Sequence, residues 1–577
     1  MSDTGTRPFC GPATEQQWIR PRIARITHVD LAVSIDLERQ RIEGTVEHRC
    51  EFHDRRSGRI LELDQHDLEI RSVEIDGRPA AFTTADNRLA IPIADALATA
   101  SVRVSFIADH PAKGMYFIPA DPSRAQVAMC WTQGAMEDHS HWFPCFDSPN
   151  NLSTWRIGVR HRSSLIAVAN GVKEPATAPV DGWTTSVYVQ DRPHVVYLVN
   201  VVVGDFAEVR DDSGPVPIAH YVPRGREAEG AAMFRATGFA IRWLSDYIGL
   251  AFPWPRYGHV VVHKFMWGGM ENATLTTITD RVLMDAQVQA REDIDCDSLV
   301  IHELVHQWYG DLLTMKGWSD IWLNESFATY LEARCAAAWR AQGDSSREAD
   351  ELALLLWIDR RAYLDEDSGR YRRALVTNRY EDAYELFDRV AYEKGCLVLH
   401  QLCRRLGEER FRAALTLYTS RHAHDLVETA DFRQALEDAT GEPLDWYFDQ
   451  WVHRAGHPRI KARWRHDPVR GALVVDLEQT HASAKPASEQ HVLTHRLAIE
   501  VVWPVTGSRD LERRRIELVR AVDTLVLPCP AAPAWVALDP DGDLLAEWDE
   551  DADATQLCAR LQDHRLGADA RARAAVA

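Results

Sequence analysis

The sequence predicts a multidomain α+β protein, and three changes of texture along its 577 residues predict it. Residues 23–211 alternate apolar and polar side chains in short runs, residues 212–458 carry long helical stretches, and residues 459–547 return to strands. The expected architecture is an N-terminal antiparallel β-domain, a mainly helical central domain and a small C-terminal β-sandwich. Residues 1–22 read as an N-terminal tail, and residues 548–577 as a helical remnant or tail. At about 150 residues per domain, the length suits this division.

In the first region, Val29 to Leu37 alternates cleanly and Val195 to Val203 reads as one buried strand. Asp76-Gly77 and Asp181-Gly182 supply turns between strands. Further on, Cys296 to Leu313 is amphipathic, with Leu299, Leu304, Val305, Trp308 and Leu312 largely on one side. Asn324 to Trp339, Glu393 to Leu406 and Phe411 to Thr419 read as further helices. The stretch through Trp451 ends at Gly456 and Pro458, which is helix-stop chemistry. Strand patterns return in 472–477, 496–503 and 534–538. The polar, Ala/Arg-rich end forms one or two exposed helices or a frayed tail, too little for a domain.

The formal charge is −21, from 65 basic and 86 acidic side chains. Such a surface repels nucleic acid and anionic membranes and mildly favours cationic substrates or substrate termini. No apolar run is long enough to span a bilayer, and Met1 to Cys10 lacks the apolar segment of a secretory signal. The ten cysteines are scattered without a C-x-x-C pair, so buried free thiols are expected. A cytoplasmic protein without nucleic-acid or membrane partners follows.

The chemistry concentrates in His302-Glu303-Leu304-Val305-His306. Histidines at i and i+4 project from one helix face, so both imidazoles reach one ion, and Glu303 between them can activate a water. Taken alone, the spacing also fits two unrelated core or surface histidines. Glu325 changes the balance, because a helix, a short connection and an antiparallel helix return its carboxylate to the same point. Two His and one Glu leave the fourth tetrahedral position open, as a catalytic zinc requires. One zinc ion per chain is expected.

These residues, with Gly268-Gly269-Met270-Glu271-Asn272 ahead of them, resemble the M1 (gluzincin) aminopeptidases of bacterial type. The likeness extends to Thr132-Gln133, Phe143-Pro144-Cys145-Phe146-Asp147, Tyr392-Glu393-Lys394-Gly395 and the stretch from Phe448 to Pro458. It implies a thermolysin-like central domain and a zinc aminopeptidase acting on peptides with a free N-terminus. It assigns the metal to His302, His306 and Glu325, proton transfer to Glu303, and oxyanion stabilisation to Tyr392. Substrate binding falls to Glu271, which would pair with the α-ammonium, and to Gly268, Gly269, Met270, Asn272 and Gln133. The two glycines would leave the backbone open to a peptide.

Three positions depart from that pattern. Ala135 stands where the family carries a Gln or Glu that helps hold the amine, leaving Gln133 or Glu137 to compensate. Ser326 follows Glu325 where Gly is frequent. The chain also stops about where many relatives begin a large helical domain, so it is expected to lack most of that domain. The alternative functions are a catalytically weak or inactive scaffold and a zinc epoxide hydrolase of the same family.

Overall fold

The computed structural model describes residues 7–53, 57–124, 126–176, 178–288, 296–483 and 494–576. The first six residues of the expected tail, the last residue of the chain and 484–493 lie outside these.

An eight-stranded sheet dominates the N-terminal region. Its order runs Val172–Lys173, Trp183–His194, Ser153–Arg162, Ala24–Asp36, Arg41–Phe52, Thr99–Asp109, Glu69–Ile75, Arg78–Pro79. Every pair is antiparallel except Ser153–Arg162 with Ala24–Asp36. Inward side chains such as Leu31, Val46, Val104 and Ile157 make a core of their own, as strict alternation dictates. The run from Val195 to Val203 is not one strand. A 3-10 turn at Val196–Leu198 precedes a strand at Val201–Gly204, all of it buried. Asn200 explains the turn: its N–H donates to Asn170 Oδ1 at 2.5 Å and its Nδ2 donates to Leu275 O at 2.8 Å. Apolar character alone could not reveal these polar ties.

The strand Phe206–Asp211 hydrogen-bonds into the next sheet, ordered Phe206–Asp211, Ile218–Pro223, His259–Val262, Thr276–Thr279, Gly269–Met270. The short strand Gly269–Met270 therefore forms an edge. Four of the following helices build the site: α1 (Cys296–Val305), α2 (Trp322–Ala341), α3 (Ser345–Gly369) and α4 (Gly395–Leu406). After them, sheets of four and three strands form the C-terminal sandwich. Its Leu473, Val475 and Ile499 join the same core as Trp451 and Phe448 of the helical region.

Both ends of the chain are more firmly held than their composition predicts. Arg7–Pro8 pairs with Tyr371–Arg372, and Gln17 N donates to Asn378 O at 2.6 Å, so the tail straps the segment leading to Tyr392. The terminal helices Ala554–Gln562 and Ala568–Val576 are neither frayed nor fully exposed. Leu566 and Ala570 pack on Trp535 and Val502. All ten cysteines are free; eight are buried, whereas Cys10 is half-buried and Cys558 exposed. No helix of the described residues is long and apolar enough to cross a membrane.

Candidate active site

Helix α1 delivers His302 and Glu303 and ends just before His306, eight residues short of the Leu313 that amphipathicity suggests. Beyond Val305 the side chains capture the backbone. Gln307 accepts from Thr274 N at 2.9 Å and donates to Glu271 O at 2.9 Å and Asp311 Oδ2 at 2.7 Å. Gly310, at φ 131°, then adopts a conformation only glycine enters cheaply. His306 keeps its helical position because its N–H still reaches His302 O at 3.4 Å.

Both imidazoles are oriented through Nδ1. His302 Nδ1 lies 3.0 Å from Glu332 Oε2, and His306 Nδ1 lies 2.9 Å from Tyr309 O. Each Nε2 is thereby turned inward, and the two stand 3.3 Å apart. Glu325, in the first turn of α2, brings Oε2 to 3.5 Å and 3.4 Å from them. That oxygen is buried and has no hydrogen-bond partner. Donors about 2.0–2.1 Å from a shared ion at tetrahedral angles stand about 3.3–3.4 Å apart, so the triangle fits one zinc-sized cation. The electrostatics agree. Burial works to raise the Glu325 carboxyl, but the His306 and His302 imidazoles outweigh it and hold it down at about 2. Burial likewise disfavours charged His306, yet Glu271 and Glu325 lift it to about 9. A buried excess of negative charge is asking for a cation.

Glu303 faces the same point, its carboxyl pushed up to about 8 chiefly by burial. Glu271 lies on the His306 side, where one oxygen each from Glu271 and Glu303 and one His306 nitrogen fall within 4.8 Å of one another. Tyr392 rides on a π-turn, Val390–Lys394, with its ring 6.0 Å from that of His302 and nearly parallel to it. Burial first, then Glu325 and Glu271, keep its hydroxyl protonated far above the ordinary range. All these groups line one cavity of about 740 Å³.

Two family domains match the chain: the Peptidase M1 N-terminal domain over residues 26–198 and the Peptidase family M1 domain over residues 233–451. The chain belongs to peptidase family M1. Among its M1 relatives, "Probable aminopeptidase 2" of Sulfurisphaera tokodaii is 27% identical over 76% of this chain and 54% of its own length. "Aminopeptidase N" of Streptomyces lividans is 29% identical over 72% of this chain and 49% of its own. The chain thus spans about half the length of the curated relatives it matches. A crystal structure of Legionella pneumophila aminopeptidase A in complex with aspartic acid shares the fold. It superposes with a TM-score of 0.80 at 17% identity, covering 96% of this chain and 63% of that one.

Within this M1 site, the glycines serve a purpose the sequence conceals. A Cβ on Gly269 would overlap Glu303 Oε1, so this position clears room for the carboxylate itself. A Cβ on Gly268 would press on Leu299 Cδ1 at 3.0 Å. Met270 lines the cavity, whereas Gln133 and Asn272 stand behind its wall. Gln133 Nε2 donates to Met270 Sδ at 3.3 Å, and Asn272 Nδ2 donates to Thr277 Oγ1 at 3.0 Å. Neither Gln133 nor Glu137 lines this cavity beside Ala135. Glu137 accepts from Trp318 Nε1 at 3.0 Å and lines the adjoining cavity, which shares Ala135, Trp318 and Tyr384 with this one.

Three contributors escaped the sequence reading. Glu332 sits seven residues after Glu325 on the same face of α2, a spacing that could have found it. Tyr197 accepts from Asn324 Nδ2 at 3.0 Å and walls the cavity from the other domain. Ser326, marked in the sequence only as a departure from Gly, makes a bond of its own. It donates to Ala391 O at 2.6 Å, inside the π-turn that carries Tyr392. A Cβ on Gly395 would collide with its Oγ, so Gly395 and Ser326 fit as a pair.

Proposed function

We propose that this chain is a zinc-dependent aminopeptidase that removes the N-terminal residue from peptides with a free amine. The observation that carries the proposal is the His302, His306 and Glu325 triangle, with edges of 3.3–3.5 Å, facing Glu303 and Glu271 in one cavity. Imidazole nitrogens and a carboxylate oxygen are borderline donors that suit zinc. Zinc in that triangle supplies Lewis acidity to the attacking water and the scissile carbonyl.

The chain's own residues do the rest. Glu303 takes a proton from the attacking water and returns it to the leaving amine; a carboxyl lifted towards neutrality by burial suits that exchange. Tyr392, kept protonated, donates a hydrogen bond to the developing oxyanion. Glu271 pairs with the substrate's α-ammonium and fixes the first peptide bond over the triangle. The edge strand Gly269–Met270 offers backbone to an extended peptide. Ten free cysteines support a reducing, cytoplasmic setting as part of the same proposal. The presence of His302, His306, Glu325 and Glu303 together favours an enzyme over a scaffold, with Ala135 the one departure that points the other way.

Aminoacyl-anilides hydrolysed by purified protein, with activity lost in Glu303→Ala and after chelation, would bear this out. Inactivity of metal-loaded protein on the whole panel would sink it.

A further inference from the structure

The cavity has two chemically different ends. Glu271 lies at the His306 end. On the His302 side the same cavity is lined by Glu332, Asp359, Glu366 and Glu393, with Arg370 and Arg389 at its edge. Their pairings leave charge over. Glu332 is engaged by His302 Nδ1 at 3.0 Å. Arg389 pairs with Glu393 Oε1, and its backbone N–H donates to Glu366 Oε1 at 2.9 Å. Arg370 stands 3.4 Å from Glu366 Oε2. Asp359 Oδ2 has only the Cys396 thiol, at 3.4 Å.

Two arginines thus face four carboxylates, and both arginine side chains are more than half exposed, at 64% and 55%. Solvent screens such charges. Glu393, by contrast, is 5% exposed, and its Oε2 has no hydrogen-bond partner. The Asp359 carboxyl is driven up to about 8 by burial first and by Glu332 and Glu393 next. The Glu393 carboxyl is driven up to about 7, again chiefly by burial. A second metal ion does not suit this end. Among the described residues, three donors converge only in the two groups around His306. An extended organic cation does suit it, because a long side chain can reach carboxylates that are spread along a wall.

Resting on the aminopeptidase reading, we propose that the Asp359–Glu393 end is a subsite for a lysine or arginine immediately after the scissile bond. A peptide held by its ammonium at Glu271, with its first carbonyl over the triangle, must send the following residue towards His302. There its ammonium or guanidinium meets the unclaimed carboxylates.

The test is a series of dipeptides sharing an N-terminal leucine and ending in lysine, arginine, norleucine or glutamate, with kcat/KM compared within each enzyme sample. Wild type is expected to favour lysine and arginine over norleucine by about tenfold, the worth of one charge-assisted contact. In Asp359→Asn the ratio falls towards parity, and in Asp359→Lys the preference moves to glutamate. Taking ratios within one sample cancels any loss of folded enzyme. Parity in wild type, or a ratio unmoved in Asp359→Asn, overturns the subsite alone. No hydrolysis of any peptide or anilide overturns the aminopeptidase reading and the subsite with it.

Discussion

Beneath the terminal helices, Arg360 of α3 meets Asp569 at 2.7 Å, Arg573 meets the same aspartate at 2.8 Å, and Arg560 meets Glu550 at 2.7 Å. Asp539 completes the group, its carboxylate accepting from Asp543 N at 2.9 Å. At the other end of the catalytic region, Glu271, Glu303 and Glu325 are just as buried, with two imidazoles among them and no arginine. Three arginines answer two buried aspartates and a glutamate in the first place. In the second, three carboxyls have only two imidazoles among them. The contrast separates two uses of buried charge. Acids matched by the chain's own cations hold domains together, and acids left unmatched wait for a cation from outside.

Breaking the matched group should give the largest effect on folding. Arg360→Ala leaves Asp569 buried and short of a partner, a change that costs about 3–5 kcal/mol. A lower urea midpoint is expected, while the anilide activity of the remaining folded enzyme stays within about twofold, because Arg360 touches none of the groups at the triangle. If kcat fell and the midpoint did not, the two regions would not be separable in this way.

A smaller effect should follow at the seam between metal helix and tyrosine turn. Ser326→Ala strands the buried Ala391 carbonyl, a loss worth about 1–3 kcal/mol. Since that carbonyl belongs to the turn carrying Tyr392, kcat should drop several-fold with KM and zinc content unchanged. A change in zinc content measured by mass spectrometry, with kcat per zinc intact, would assign Ser326 to the metal rather than to Tyr392.

How much of this was legible in the sequence depends on the range of the forces involved. The triangle was readable in part because helical periodicity alone puts His302 and His306 on one face. Glu325 followed from a short helix-to-helix connection. The end of α1 at Val305 was not readable, since it depends on Gln307 reaching Thr274 and Glu271 across the chain. Of the two readings the C-terminal end left open, the structure shows two helices, and their packing was not readable because alternating Ala and Arg show no apolar face. Their anchor, Arg360 to Asp569, joins positions 209 residues apart. Tyr392 stood out only through the Tyr392-Glu393-Lys394-Gly395 motif, with no periodicity to mark it. Its role came through resemblance, and the structure supplies the π-turn and the Ser326 bond that aim it.

Between the two kinds of buried charge lies a pair of one buried and one half-exposed group that should show the weakest, pH-limited effect. His457, just beyond the last catalytic helix, stands 2.6 Å from Glu547 of the sandwich, and Arg459 adds a contact at 3.1 Å. The His457 hydrogen bond, outweighing burial, holds the Glu547 carboxyl down at about 2 instead of its ordinary 4.5. A carboxyl depressed in the folded state stabilises it fully above the unfolded value, and the gain is lost as pH falls from there through the folded value. Glu547→Gln should therefore lower Tm at pH 6, and the difference from wild type should shrink by about half on going to pH 3. A difference independent of pH would mean that Glu547 acts by packing, and that the joint between catalytic region and sandwich rests on the apolar core and the Arg360 group alone.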